Sequence, residues 1–76
     1  MYNVELYNRT AGKVVSSKKA STDREASKAA ADFIGQIKEK YSVVKESNYD
    51  INPRGFVIGQ TLYTTDAVFD VTAAKL

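Results

Sequence analysis

Thr22-Asp23-Arg24-Glu25-Ala26-Ser27-Lys28-Ala29-Ala30-Ala31-Asp32-Phe33-Ile34-Gly35-Gln36-Ile37-Lys38-Glu39-Lys40-Tyr41 is the stretch that decides the fold. Thr22 followed three residues later by Glu25 has the spacing of a capping box, in which the hydroxyl and the carboxylate each satisfy a backbone N–H left over at a helix start. Asp23 and Glu25 put negative charge in the first turn, and Lys38 and Lys40 put positive charge in the last; both suit the helix dipole. Ala26, Ala29, Ala30, Phe33, Ile34, Ile37 and Tyr41 recur in steps of three and four, which makes one apolar stripe. The alanines allow close approach to a sheet, and Phe33 and Ile37 fill the wider end. Gly35 lies on the polar side and costs about 1 kcal/mol relative to Ala.

Either side of this helix the periodicity switches to two. Tyr2, Val4 and Leu6 alternate with Asn3, Glu5 and Tyr7 as a half-buried strand. Residues 8–12 supply a turn, with Gly12 free to take positive φ. A short polar strand then runs from Lys13 to about Lys19, suited to a sheet edge that lysines protect from aggregation. Beyond the helix, Val43 and Val44 open a strand that continues irregularly through Tyr49 and Ile51. Asn52-Pro53-Arg54-Gly55 has the residues of a type I turn. Phe56 to Tyr63 is the next strand: Phe56, Ile58 and Leu62 share one face, and Val57, Gly59, Thr61 and Tyr63 the other. Residues 64–66 turn the chain, and Ala67, Phe69 and Val71 alternate with Val68, Asp70 and Thr72 in a last strand. Ala73 to Leu76 are expected to fray.

The order β-β-α-β-β-β with hairpin-length connections predicts one α+β domain over residues 1–76. It is a small two-layer unit, a mainly antiparallel sheet of four or five strands with one amphipathic helix on one face. A single helix covers a single face. The other is left to solvent or to a partner.

Composition excludes more than it assigns. The 76 residues contain neither Cys nor His, which removes disulfides and Cys/His zinc sites. It also removes His- or Cys-based nucleophilic catalysis. Ser16, Ser17, Lys18 and Lys19 are adjacent, but neighbours on a strand face opposite ways, which argues against a Ser–Lys dyad. The pairs Asp66/Asp70 and Glu46/Asp50 read as solvent-facing strand positions rather than an acid–base couple. Asn48, Asp50 and Asn52 have the opening spacing of a calcium loop, but Pro53 stands where that loop needs Gly, and no Glu follows six residues on. Glycine-rich phosphate loops are missing. Asn8-Arg9-Thr10 fits a glycosylation sequon and reads as a turn. The chain is therefore expected not to be an enzyme, with no catalytic, cofactor or metal residues.

No apolar run is long enough to cross a bilayer, and the first residues lack the basic-then-apolar order of a signal peptide. A cytoplasmic protein is the expectation, and a Met1 start leading directly into a strand suits a complete small gene product.

The net charge is only +2, but it is unevenly spread. Residues 1–28 hold Arg9, Lys13, Lys18, Lys19, Arg24 and Lys28 against Glu5, Asp23 and Glu25. Gly12-Lys13-Val14-Val15, Ser17-Lys18-Lys19-Ala20 and Lys28-Ala29-Ala30-Ala31 together resemble the strand–helix tail of a double-stranded RNA-binding domain. Thr22-Asp23-Arg24-Glu25, however, puts two acids where that family carries phosphate-facing lysines. Arg54-Gly55-Phe56 resembles the start of an RRM's RNP1, which Val57-Ile58-Gly59 does not continue. Neither family is assigned.

Two binding readings follow. In the first, Tyr7, Val57, Tyr63 and Val68 form an apolar, aromatic patch on the open sheet face. That patch would receive a protein partner or a second copy as a homodimer. The chain would then act as a small interaction protein: a regulator, an inhibitor or a viral or mobile-element accessory factor. In the alternative, Arg9, Lys13, Lys18, Lys19 and Arg24 form a basic hairpin edge for nucleic acid, with Tyr7 and Tyr63 as stacking groups.

Overall fold

The computed structural model describes residues 1–48 and 56–76. The order is β1 (Tyr2–Asn8), β2 (Lys13–Ala20), α1 (Asp23–Lys40), β3 (Val43–Asn48), β4 (Phe56–Thr64) and β5 (Val68–Lys75). All five strands form one antiparallel sheet, β2-β1-β5-β4-β3. The expected α+β architecture is present, with β2 at an edge. The continuation of β3 through Tyr49 and Ile51, and the turn at Asn52-Pro53-Arg54-Gly55, lie outside the described residues.

The helix starts and stops where its caps dictate. The Glu25 N–H donates to the Thr22 hydroxyl at 3.2 Å, and the Glu25 carboxylate accepts from the Ser21 N–H, one residue beyond the expected Thr22 N–H. Tyr41 ends the helix in an extended conformation, its N–H donating to the Ile37 carbonyl. The buried stripe is Ala26, Ala29, Ala30, Phe33 and Ile37.

This stripe packs on Tyr2, Val4, Leu6, Leu62, Phe69, Val71 and Ala73. Register explains the shared face: Val4 opposes Ala73, Leu6 opposes Val71, and Leu62 opposes Phe69. Leu6, Leu62 and Phe69 are essentially fully buried, worth about 1.5–3 kcal/mol each. Tyr41 closes the far end against Phe69, ring centroids 5.0 Å apart. At the helix start the Tyr2 hydroxyl donates to the Asp23 carboxylate, which pins β1 to the first turn.

The C-terminal tail departs from expectation. Residues 73–75 do not fray but complete β5, paired with β1 from Val4 back to Tyr2, and the Leu76 N–H donates to the Met1 carbonyl at 2.9 Å. Ala73 is fully buried. Alanine has weak strand preference, but here it is the side chain small enough to lie under the helix, and pairing on both sides outweighs propensity.

Candidate functional site

The helix-free face is read from the same register, one residue out of phase. Tyr7 of β1 lies between Val14 of β2 and Asp70 of β5, and Asp70 in turn opposes Thr61 of β4. In the adjacent row Val68 opposes Tyr63, which opposes Lys45 of β3. Tyr7, Tyr63 and Val68 are all half-buried on this face. Val68 directly opposes Tyr63 and lies diagonally from Tyr7, so it links the two tyrosines across β5. The backbone of Val57 belongs to β4, but its side chain lies outside the described residues.

At the centre sits a charge network. Arg9 leaves the β1–β2 turn and forks onto Asp70, with Nε to Oδ2 at 3.0 Å and Nη2 to Oδ1 at 2.7 Å. Thr61 Oγ1 donates to Asp70 Oδ1 at 2.7 Å and accepts from Arg9 Nη2 at 3.4 Å. The hydrogen bond and charge of Asp70 raise the Arg9 pKa above its ordinary value, with a smaller contribution in the same direction from Tyr63 and a lowering from burial. Lys45 Nζ stands 5.8 Å from the Tyr63 ring centroid, within cation–π range.

The turn that carries Arg9 is itself built from side chains. Asn8 Oδ1 accepts from the Ala11 N–H, and Gly12 has φ 71° with its N–H on the Asn8 carbonyl. The Arg9 N–H donates to the Val68 carbonyl, and the Val68 N–H donates to Thr10 Oγ1. The sequon residues are therefore engaged in fixing this turn against β5.

The basic residues do not share one face. Arg9 is committed to Asp70. Lys19 opposes Asn3, on the helix-free side, whereas Lys18 opposes Val4 and Lys13 opposes Asn8, on the helix side. Arg24 is exposed in the first turn of α1. Among the described residues, no group of three acidic side chains converges as a metal site would need, and no helix is long and apolar enough to cross a membrane.

Strand alternation sets Thr61 with Tyr63 and Asp70 with Val68, but it does not show the ion pair that joins Asp70 to Arg9. Asp70 was legible only as a polar position alternating with Phe69 and Val71. Its partner is 61 residues away in the chain.

No family model matches the chain, and no curated protein or solved structure is significantly similar to it.

Proposed function

We propose that this is a non-enzymatic interaction protein that docks a protein partner, or a second copy of itself, on the helix-free face of its sheet. The observation that carries the reading is the grouping of Tyr7, Val68 and Tyr63 around an ion pair whose charges already satisfy each other. Burying a lone charge at an interface is costly. Here Arg9 and Asp70 neutralise one another, so a partner can cover them at lower cost while the tyrosines supply contact area. Tyrosine is enriched among residues that dominate binding energy. Roles as a regulator, an inhibitor or an accessory factor of a virus or mobile element all fit this mode of action, in a cytoplasmic setting.

The separation of Lys18 from Lys19 across the sheet, and the engagement of Arg9, favour this reading over nucleic-acid binding. Fluorescence anisotropy with labelled RNA and DNA, duplex and single-stranded, tests the choice. The proposal expects either no binding or binding that disappears near physiological salt. Tight binding that survives near-physiological salt and prefers one nucleic-acid form would overturn it.

A further inference from the structure

A second surface runs along the opposite side of the molecule from the tyrosines, between β2 and α1. Among the described residues nothing pairs with the outer edge of β2, eight residues long. Its backbone N–H and C=O groups on that side are open to an added strand. Beside this edge lie two depressions. One is a cleft of about 320 Å³ with residues 18–21 on one wall and Glu25, Lys28 and Ala29 on the other. The second, about 100 Å³, lies toward the helix C-terminus, where Val15 faces Ile37 and Tyr41 above Leu6 and Phe69.

Val15 reaches the helix side because the β1–β2 register shifts between Leu6 and Tyr7: Ser16 opposes Leu6 and Val14 opposes Tyr7, leaving Val15 as the extra residue. It is 52% exposed. The strand thus offers one apolar seat and, farther along, a cationic one.

The charge identifies the occupant. β2 carries Lys13, Lys18 and Lys19 and no acid, while Lys28 and Lys40 line the depressions from the helix. The acids on this flank are Glu25, whose carboxylate accepts from the Ser21 N–H, and Asp32 and Glu39, seven apart on one stripe of the helix. A second copy of β2 would bring like charges together across the new pairing, which is destabilising. We infer that the β2 edge takes an extended acidic peptide segment of a partner protein as a sixth strand. An apolar side chain would seat against Val15, Ile37 and Tyr41, and a carboxylate would lie between Lys18 and Lys28. Side chains on one face of a strand recur every two residues at about 3.3 Å per residue. Seats at Val15 and at residues 18–21 therefore match positions about four apart in the peptide. This surface is distinct from the tyrosine face, and the inference does not depend on the proposed function.

The test uses the full chain, ¹⁵N-labelled, titrated with the peptide Thr-Thr-Ile-Thr-Thr-Thr-Glu-Thr-Thr. Two analogues accompany it, one with Lys for Glu and one N-methylated at alternate backbone amides. The glutamate peptide is expected to shift amides from Lys13 to Ala20, saturably, and both analogues to fail. Lys18→Glu combined with Lys28→Glu should weaken binding by about tenfold or more with the circular dichroism spectrum unchanged. Lys45→Ala, on the opposite edge strand β3, should leave it unaltered. No saturable shift at millimolar peptide, or equal binding by either analogue, would overturn the inference. So would single-stranded RNA occupying the same lysines more tightly than the peptide.

Discussion

Arg9 and Asp70, 61 residues apart in the chain, meet in a two-pronged ion pair at 2.7 and 3.0 Å on the helix-free face. The pair ties the β1–β2 turn to the central strand β5, and Thr61 joins it from β4. Asp70 is the more enclosed partner, its side chain 13% exposed against 50% for Arg9. Solvent screening at Arg9 limits the net effect, so Arg9→Ala should cost about 1 kcal/mol by urea denaturation. Arg9→Lys should recover little of it, because an ammonium cannot reproduce the fork. Full recovery by lysine would mean that the geometry is not what matters.

Gly35 is exposed, and a Cβ built on it meets nothing within 4 Å. Gly35→Ala should therefore stabilise the fold by about 0.5–1 kcal/mol, the helix preference of Ala over Gly. A raised melting temperature with an unchanged heteronuclear spectrum elsewhere is the expected result. A loss of stability would show that the position is not the solvent-facing helix site described.

Ala26 lies in the core between helix and sheet, 0% exposed. Added methyl groups have no room there, so Ala26→Val should destabilise by about 1–3 kcal/mol. Ala31→Val, on the exposed side, should cost only the propensity difference of a few tenths of a kcal/mol. Comparable losses at both sites would contradict the packing.

The Tyr2 hydroxyl donates to Asp23, and its pKa is raised, first by that hydrogen bond, then by burial and the nearby negative charge. The neutral form is the one the fold favours. Its contribution is therefore fully present below the unfolded tyrosine value of about 10 and is lost as pH climbs through the higher folded value. The stability gap between wild type and Tyr2→Phe should stay constant from neutral pH to about 10 and narrow above it. A gap unchanged well above that pH would rule out the coupling.

The helix was legible because three independent signals coincide between Thr22 and Tyr41: cap chemistry, dipole-matched charge and a single apolar stripe. The edge position of β2 was legible from its lysines. What could not be read was non-local. Insertion of β5 between β1 and β4 gives Ala73 and Ala74 partners on both sides and Lys75 a partner on β1, and no local signal in two alanines and a lysine announces that. The same insertion creates the Arg9–Asp70 pair. The register shift that turns Val15 toward the helix is likewise a property of two strands together, since Val14 and Val15 look alike in sequence. Tyr7, Tyr63 and Val68 could be placed on one face because each strand's alternation is local, whereas the charge network between them depends on strand order.

Docking of a protein partner on the helix-free face should depend on Tyr7 and Tyr63 and not on Lys18 and Lys28. Its most direct test is quantitative affinity capture from lysate, with isotope-coded comparison of wild type, Tyr7→Ala with Tyr63→Ala, and Lys18→Glu with Lys28→Glu. All three are first shown to be folded and of known oligomeric state. A protein retained by wild type and the lysine variant but depleted about tenfold or more by the tyrosine variant, or a dimer lost only in that variant, is the predicted result. Equal recovery of every bound protein, with an oligomeric state the tyrosine substitutions do not change, would contradict it.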